Sequence, residues 1–319
     1  MTRARGIALL LLTTLIWGTT FPTIKIATTA LTSPQLVAVR FALALLVLGW
    51  FLGRATWRTW WHGALTGALA SVSFLALAQG ISTTGSARAG FLIGLNVILV
   101  PLAYPLLGRA LSATALLGAL LASAGLTALA WDAHTLHLSR GDCWVLLSAT
   151  SYAVYILTMD QFVKLHDSRA FSAAQVCCVL VIALLWVAHQ GTPWPSWPGT
   201  SPPVPATLAQ PTMLTAPGTL TAPGVQAANP AWPWVVLYLG LVATALTTWT
   251  QVMGQRVVPP VQAAIIYSLE PVFAAVFSAL LVHEHLRARD LLGGALIVSG
   301  MLVCMLPQRS ERGSVTVPT

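Results

Sequence analysis

The residues able to do chemistry in this chain are few, and they stand out because their surroundings are apolar. Glu270 lies in Pro260–His283, PVQAAIIYSLEPVFAAVFSALLVH, and is followed at once by Pro271. From Val261 to Val282 there are 22 residues, which at roughly 1.5 Å per helical residue span ~33 Å, enough to cross the hydrocarbon core of a bilayer. Glu270 is the tenth of them, which places it ~13 Å deep, where an ionised acid costs about 2.5–3.5 kcal/mol even on lenient insertion scales. An acid there must be neutral, paired or facing a polar cavity. Two roles fit: a carboxyl whose proton release is coupled to movement of a solute, or, as the simpler account, a structural group that bonds backbone freed by Pro271.

Other polar and aromatic residues share that depth. Trp17 is eleventh in the apolar segment 7–25, Asn96 tenth in 87–107, and Tyr152 and Tyr155 eleventh and fourteenth in 142–162. The run Trp17-Gly18-Thr19-Thr20-Phe21-Pro22 supplies a small residue for close approach, two hydroxyls and a helix break at Pro22, matching the one expected at Pro271. We therefore expect Trp17, Gly18, Thr20, Phe21, Asn96, Tyr152, Tyr155 and Glu270 to line one cavity. Helix packing alone is the competing account for Trp17 and Thr20. Arg40, seventh in 34–52, joins the set as a group that could steer or bind an anion, although an ion pair or a snorkelled position explains it more simply. Lys25 and Asp160, nearer span ends, are expected to snorkel. His283, Glu284 and His285 end a span without a third helix-spaced ligand, so no metal site is expected. The four cysteines, Cys143, Cys177, Cys178 and Cys304, read as packing residues.

The elements that must hold these groups follow from composition. The chain is 56% hydrophobic and 8% charged, with a mean hydropathy of +0.78, the profile of a polytopic, all-α membrane protein rather than a soluble domain. Ten apolar segments are marked: 7–25, 34–52, 63–81, 87–107, 113–131, 142–162, 170–189, 232–252, 261–282 and 291–307. The first is too long for a signal-peptide core and lacks a small-residue cleavage site. An even number of spans puts both termini on one side. Placing them in the cytoplasm leaves ten basic residues inside, from Arg3 to Arg312, against Arg88, Arg140, Arg287 and Arg289 outside. The net charge of +8 then belongs to loops, not to a nucleic-acid surface. Residues 190–230, rich in Pro, Thr, Ala and Gly and without Lys, Arg, Asp or Glu, repeat LTAPG at Leu214–Gly218 and Leu220–Gly224 and read as a disordered periplasmic insertion; 308–319 form a cytoplasmic tail.

The second half echoes the first. At an offset of 135, Trp17 meets Tyr152, Lys25 meets Asp160 and Arg40 meets Gln175; at 174, Gly80 meets Gly254 and Asn96 meets Glu270; at 175, Gly118 meets Gly293 and Gly125 meets Gly300. A first five-helix repeat within 1–165 and a second over 142–307 are expected, the second entering the membrane inverted because five is odd. The polar residues of spans 1, 4, 6 and 9 then meet in a central cavity.

Five stretches, LIWGTTF at Leu15–Phe21, AVRFALALL at Ala38–Leu46, YAVYILTMD at Tyr152–Asp160, SLEPVFAAVFSALLVHEHL at Ser268–Leu286 and LLGGALIVSG at Leu291–Gly300, resemble the EamA-type, ten-span members of the drug/metabolite transporter superfamily. The resemblance covers about 7–307 apart from the insertion. It implies a secondary carrier in the cytoplasmic membrane of a prokaryote, exporting amino acids, related metabolites or drug-like compounds. Thr20 stands where the family often has Asn, and Asn96 where many members carry another acid–proline pair. No cofactor is expected, and no phosphate-cradling loop that would make the chain an ATP-driven pump or an enzyme of that kind. The expected partners are a small-molecule substrate, the lipid bilayer and, through Glu270, protons. The rivals are a membrane-embedded enzyme acting on lipid-linked substrates, which would need acids at the interface beside metal or phosphate partners, and a non-transporting scaffold.

Overall fold

The computed structural model describes residues 1–84, 86–109, 111–130, 138–195, 229–281 and 288–306. The tail at 308–319, most of the 190–230 insertion, and His283, Glu284 and His285 lie outside them. The described residues are helical throughout their regular structure. In chain order the helices are α1 (Arg3–Gly18), α2 (Thr20–Ala27), α3 (Ser33–Leu48), α4 (Trp57–Thr83), α5 (Ser86–Gly94), α6 (Asn96–Ala103), α7 (Ala113–Ala130), α8 (Arg140–Phe162), α9 (Ser168–Gln190), α10 (Trp232–Gly240), α11 (Thr247–Gln255), α12 (Pro260–Tyr267), α13 (Glu270–Leu281) and α14 (Ala288–Met305), and a π-helical turn, Leu241–Leu246, joins α10 to α11. Six stretches are long and apolar enough to cross a membrane: Ser33–Arg54, Trp57–Thr83, Arg140–Phe162, Ser168–Gln190, Trp232–Gln255 and Pro260–Phe277. The pair α1 and α2, bent by 41°, makes a seventh. Ala89–Ala103, Ala113–Ala128 and Leu291–Met305 are shorter apolar helices.

Local chemistry sets where helices start and stop. Ser139 Oγ accepts from the Asp142 amide at 3.1 Å while Asp142 Oδ2 accepts from the Ser139 amide at 2.8 Å, a reciprocal cap on α8. Asp167 Oδ1 caps α9 by accepting from the amides of Arg169 and Ala170. Gly191, at φ 60°, ends α9 in the left-handed conformation that a side chain resists.

Among the described residues, four apolar helical segments are interrupted near mid-length. The Pro22 nitrogen has no hydrogen to offer the Gly18 carbonyl, and Pro271 likewise leaves that of Tyr267. The distortions accordingly fall before each proline, at Thr19 and at Ser268–Leu269. Hydroxyls take up neighbouring carbonyls in the loosened turns: Thr20 Oγ1 donates to Trp17 O at 2.8 Å and Ser268 Oγ to Ile265 O at 2.7 Å. The third interruption, at Leu95 between α5 and α6, has no proline in that register. The fourth is the π turn, where Thr244 Oγ1 donates to Leu239 O, five residues back, at 2.6 Å.

The helices approach one another over glycines. α7 and α14 touch backbone to backbone: a Cβ at Gly118 would sit 2.7 Å from Gly300 O, one at Gly300 2.5 Å from Gly118 O, and one at Gly125 2.5 Å from Gly293 O. Gly6 of α1 faces Gly254 of α11, and Gly80 of α4 faces Gly141 of α8, in the same reciprocal way.

Candidate functional site

A cavity lies where the interrupted helices meet. Trp17, Thr20 and Ile24 come from α1 and α2, Arg40 from α3, Ser73, Phe74, Leu77 and Ala78 from α4, Ile93 and Asn96 from α5 and α6, Tyr152 from α8 and Glu270 from α13. The space open to the centre of a water molecule is about 40 Å³, room for roughly three waters at ~10–15 Å³ each.

Asn96 and Glu270 hold equivalent places, each the first residue of a helix that follows an interruption. Asn96 is buried, and its Oδ1 has no hydrogen-bond partner among the described residues. An orphan acceptor in hydrocarbon costs about 1–3 kcal/mol, so a donor from water or a solute is favoured there. Among the described residues no hydrogen bond ties the Glu270 carboxyl to the backbone around Pro271.

Aromatic rings close one side. Trp17 meets Tyr152 edge-on at 5.9 Å between centroids and Tyr267 at 5.4 Å, and Tyr152 lies 5.4 Å from Tyr155 and 6.1 Å from Tyr267. Gln251 Nε2 donates to Tyr152 OH at 2.8 Å, which orients that hydroxyl. Tyr155 stands behind Tyr152, donating to Gln175 Oε1 at 2.9 Å.

Arg40 is 4% exposed. Its Nε donates to Thr244 Oγ1 at 3.2 Å, and its guanidinium carbon lies 5.7 Å from the Phe74 ring centroid. The π turn is what presents Thr244 to it. Among the described residues no carboxylate pairs with Arg40, so the simpler readings of this residue, an ion pair or a snorkelled position, give way to a buried cation at the cavity wall.

Of the nine residues expected at a cavity, Trp17, Thr20, Arg40, Asn96, Tyr152 and Glu270 line this one. Gly18 packs against α13, where a Cβ would come within 2.6 Å of Phe273 Cβ. Phe21 is buried beside Ile24, Ile93 and Val145 in a separate apolar cluster. Sequence reasoning missed Ile24, Ile93 and the α4 wall, and also Tyr267, whose ring packs on Trp17 and Tyr152.

Asp160 does not snorkel alone. Arg109 Nη1 donates to its Oδ2 at 2.6 Å, and Lys164 Nζ lies 3.6 Å from its Oδ1. That bond, more than any other influence, holds the Arg109 guanidinium pKa above its ordinary value. Nearby, His62 Nδ1 and His166 Nε2 are 2.7 Å apart, and Thr59 Oγ1 lies 3.1 Å from His166 Nδ1. Burial, and then His62, push the His166 pKa below the usual histidine value. All four cysteines are unpaired.

A solved crystal structure superposes on this one with a TM-score of 0.69 at 18% sequence identity, covering 96% of this chain and 98% of its own. At that identity the likeness concerns the fold alone. No curated protein matches the sequence. The profile of the EamA-like transporter family matches twice, over residues 4–131 and 139–306. With nearly all the described helices inside those two matches, the chain is a multi-pass membrane transporter and belongs to the EamA-like transporter family.

Proposed function

We propose that the protein moves a small organic solute, an amino acid, related metabolite or drug-like compound, outward across the cytoplasmic membrane of a prokaryote by alternating access. In this reading the chain makes ten spans with both termini cytoplasmic, arranged as two inverted five-helix repeats, and the solute binds between them. The observation that carries it is the small cavity whose wall combines a carboxyl, an unpartnered amide oxygen, a buried cation and an aromatic cluster. At about 40 Å³ it is too small for a metabolite, against the roughly 300–1,000 Å³ of ligand pockets, so a solute is held only when the halves part.

The glycine contacts support a two-fold relation between the halves. Under the sequence offsets Gly6 corresponds to Gly141 and Gly80 to Gly254; the contact of Gly6 with Gly254 thus becomes that of Gly141 with Gly80. The α7–α14 seam maps onto itself in the same manner, Gly118 with Gly300 becoming Gly293 with Gly125. Such exchange of partners is what a two-fold axis imposes.

Glu270 is the residue through which protons would couple. Its freedom from the backbone at the break favours a cavity-facing role over a structural one. The test is uptake and efflux of a metabolite panel by the protein in liposomes, with and without a pH gradient. We expect at least one solute to move, and Glu270→Gln to remain folded while losing the response to the gradient. Transport by neither gradient refutes the assignment; a misassembled Glu270→Gln protein refutes the coupling role alone.

A further inference from the structure

A second cavity, of about 250 Å³, opens at the end of the bundle where α8 finishes and α12 begins, and shares no residue with the central one. Three cations, Arg109, Lys164 and Arg256, face it against one acid, Asp160. Asp160 is 7% exposed and engages both Arg109 and Lys164, whose side chains are 37% and 59% exposed. One carboxylate offsets one cation, so the cavity keeps two positive charges in excess. Arg256 is fixed by neutral acceptors: its Nη1 donates to His166 O at 3.0 Å and to Ser168 Oγ at 2.8 Å. Among the described residues no carboxylate lies within ion-pair reach of it. Pro259 and Pro260 form part of the wall where α12 starts, which adds the positive end of that helix.

We propose that this cavity binds a phosphate-bearing anion, either the headgroup of an anionic phospholipid or a free phosphate. Two guanidinium forks and an ammonium from three separate segments converge there, and a fork matches paired phosphate oxygens. The volume falls just short of the roughly 300 Å³ at which pockets for whole ligands begin, and suits a headgroup. Beside it in sequence Leu106 and Leu165 are exposed, next to Tyr104 and Lys164, and offer apolar surface to an acyl chain. The proposal needs only the membrane assignment and is independent of the central cavity.

The experiment uses the full chain in nanodiscs of phosphatidylcholine, alone or with a minor fraction of phosphatidylglycerol, and reads the thermal unfolding midpoint. Sodium phosphate is titrated against sodium chloride at matched ionic strength. A bound anion raises the midpoint by mass action. A rise with phosphatidylglycerol alone identifies a lipid headgroup, and a rise with inorganic phosphate in phosphatidylcholine discs identifies a free anion. Lys164→Gln, at an exposed position, should weaken the half-effect by about fivefold, the effect of one cation near an anionic surface. Asp160→Asn, which removes the competing carboxylate, should strengthen it, an effect that loss of a merely structural ion pair would not produce. Arg58→Gln, exposed and outside the cavity, should leave it unchanged. The proposal fails if neither probe raises the midpoint beyond chloride, or if Lys164→Gln and Arg58→Gln behave alike.

Discussion

Replacing Thr244 with Val tests whether the π turn exists to hold Arg40. The swap preserves shape in a site that is 1% exposed and deletes two hydrogen bonds. The first, Thr244 Oγ1 to Leu239 O, joins neutral groups and is worth ~1 kcal/mol net. The second comes from the charged guanidinium of Arg40, a class worth about 1.5–3 kcal/mol. The sum is about 2.5–4 kcal/mol. Thr247→Val is the matched control: it is equally buried, and its hydroxyl serves only its own helix, donating to Ala243 O at 2.9 Å. It should cost ~1 kcal/mol. The excess of about 1.5–3 kcal/mol corresponds to roughly a 10- to 150-fold loss in the folded-to-unfolded ratio. Equilibrium unfolding in mixed micelles measures it, and repeating both substitutions in an Arg40→Met background should erase the excess. Equal costs for Thr244→Val and Thr247→Val in the wild-type background would refute the reasoning.

Gly125→Ala places a methyl 2.5 Å from Gly293 O and forces α7 from α14, at about 1–3 kcal/mol; Gly90→Ala, with only Phe21 Cζ at 3.8 Å, should be neutral or stabilising by up to ~1 kcal/mol in the same unfolding assay. Because the His166 pKa is lowered on folding, the unfolded chain binds more protons in acid, so its stabilising contribution is complete above the ordinary value near 6.5 and is lost as pH falls through the folded value. His62→Phe, which keeps an aromatic ring beside Phe162, removes the smaller of the two causes and should reduce that dependence, with the part due to burial retained, in unfolding midpoints measured across the window. Tyr155→Phe orphans Gln175 Oε1 and should cost about 1–3 kcal/mol of stability while leaving the KM of transport unchanged, whereas Tyr152→Phe, at the cavity wall, should shift KM.

The lining residues that could be read from sequence were those that hydrocarbon makes conspicuous. Glu270, Asn96 and Arg40 have no cheap place in a lipid-facing helix, and Trp17 and Tyr152 share the depth of Glu270 and Asn96. Ser73 carried no such signal, because a buried serine readily finds a partner in a neighbouring helix; here its hydroxyl pairs with Ser148 Oγ at 3.0 Å. Phe74, Leu77 and Ala78 look like any lipid-facing or packing residue when every side of a helix is apolar. Pro22 and Pro271 signalled interruptions, but a proline disturbs the carbonyl four residues earlier, which moves each break upstream. The interruption at Leu95 and the π turn have no proline to mark them. The contact of His62 with His166 joins residues 104 apart, and no local pattern encodes it.

The tightness of the central cavity also bears on what an affinity measurement would mean. The cavity has space for only a few waters, so under the proposed alternating access the form that binds a solute is a different member of the ensemble. If that form made up about one molecule in a hundred, the observed dissociation constant would be about a hundredfold weaker than that of the open site itself. A substitution far from the cavity that loosens a glycine seam would then tighten apparent binding without touching the solute. Under the proposed alternating access, affinity would be set by how often the halves part as well as by what lines the space between them.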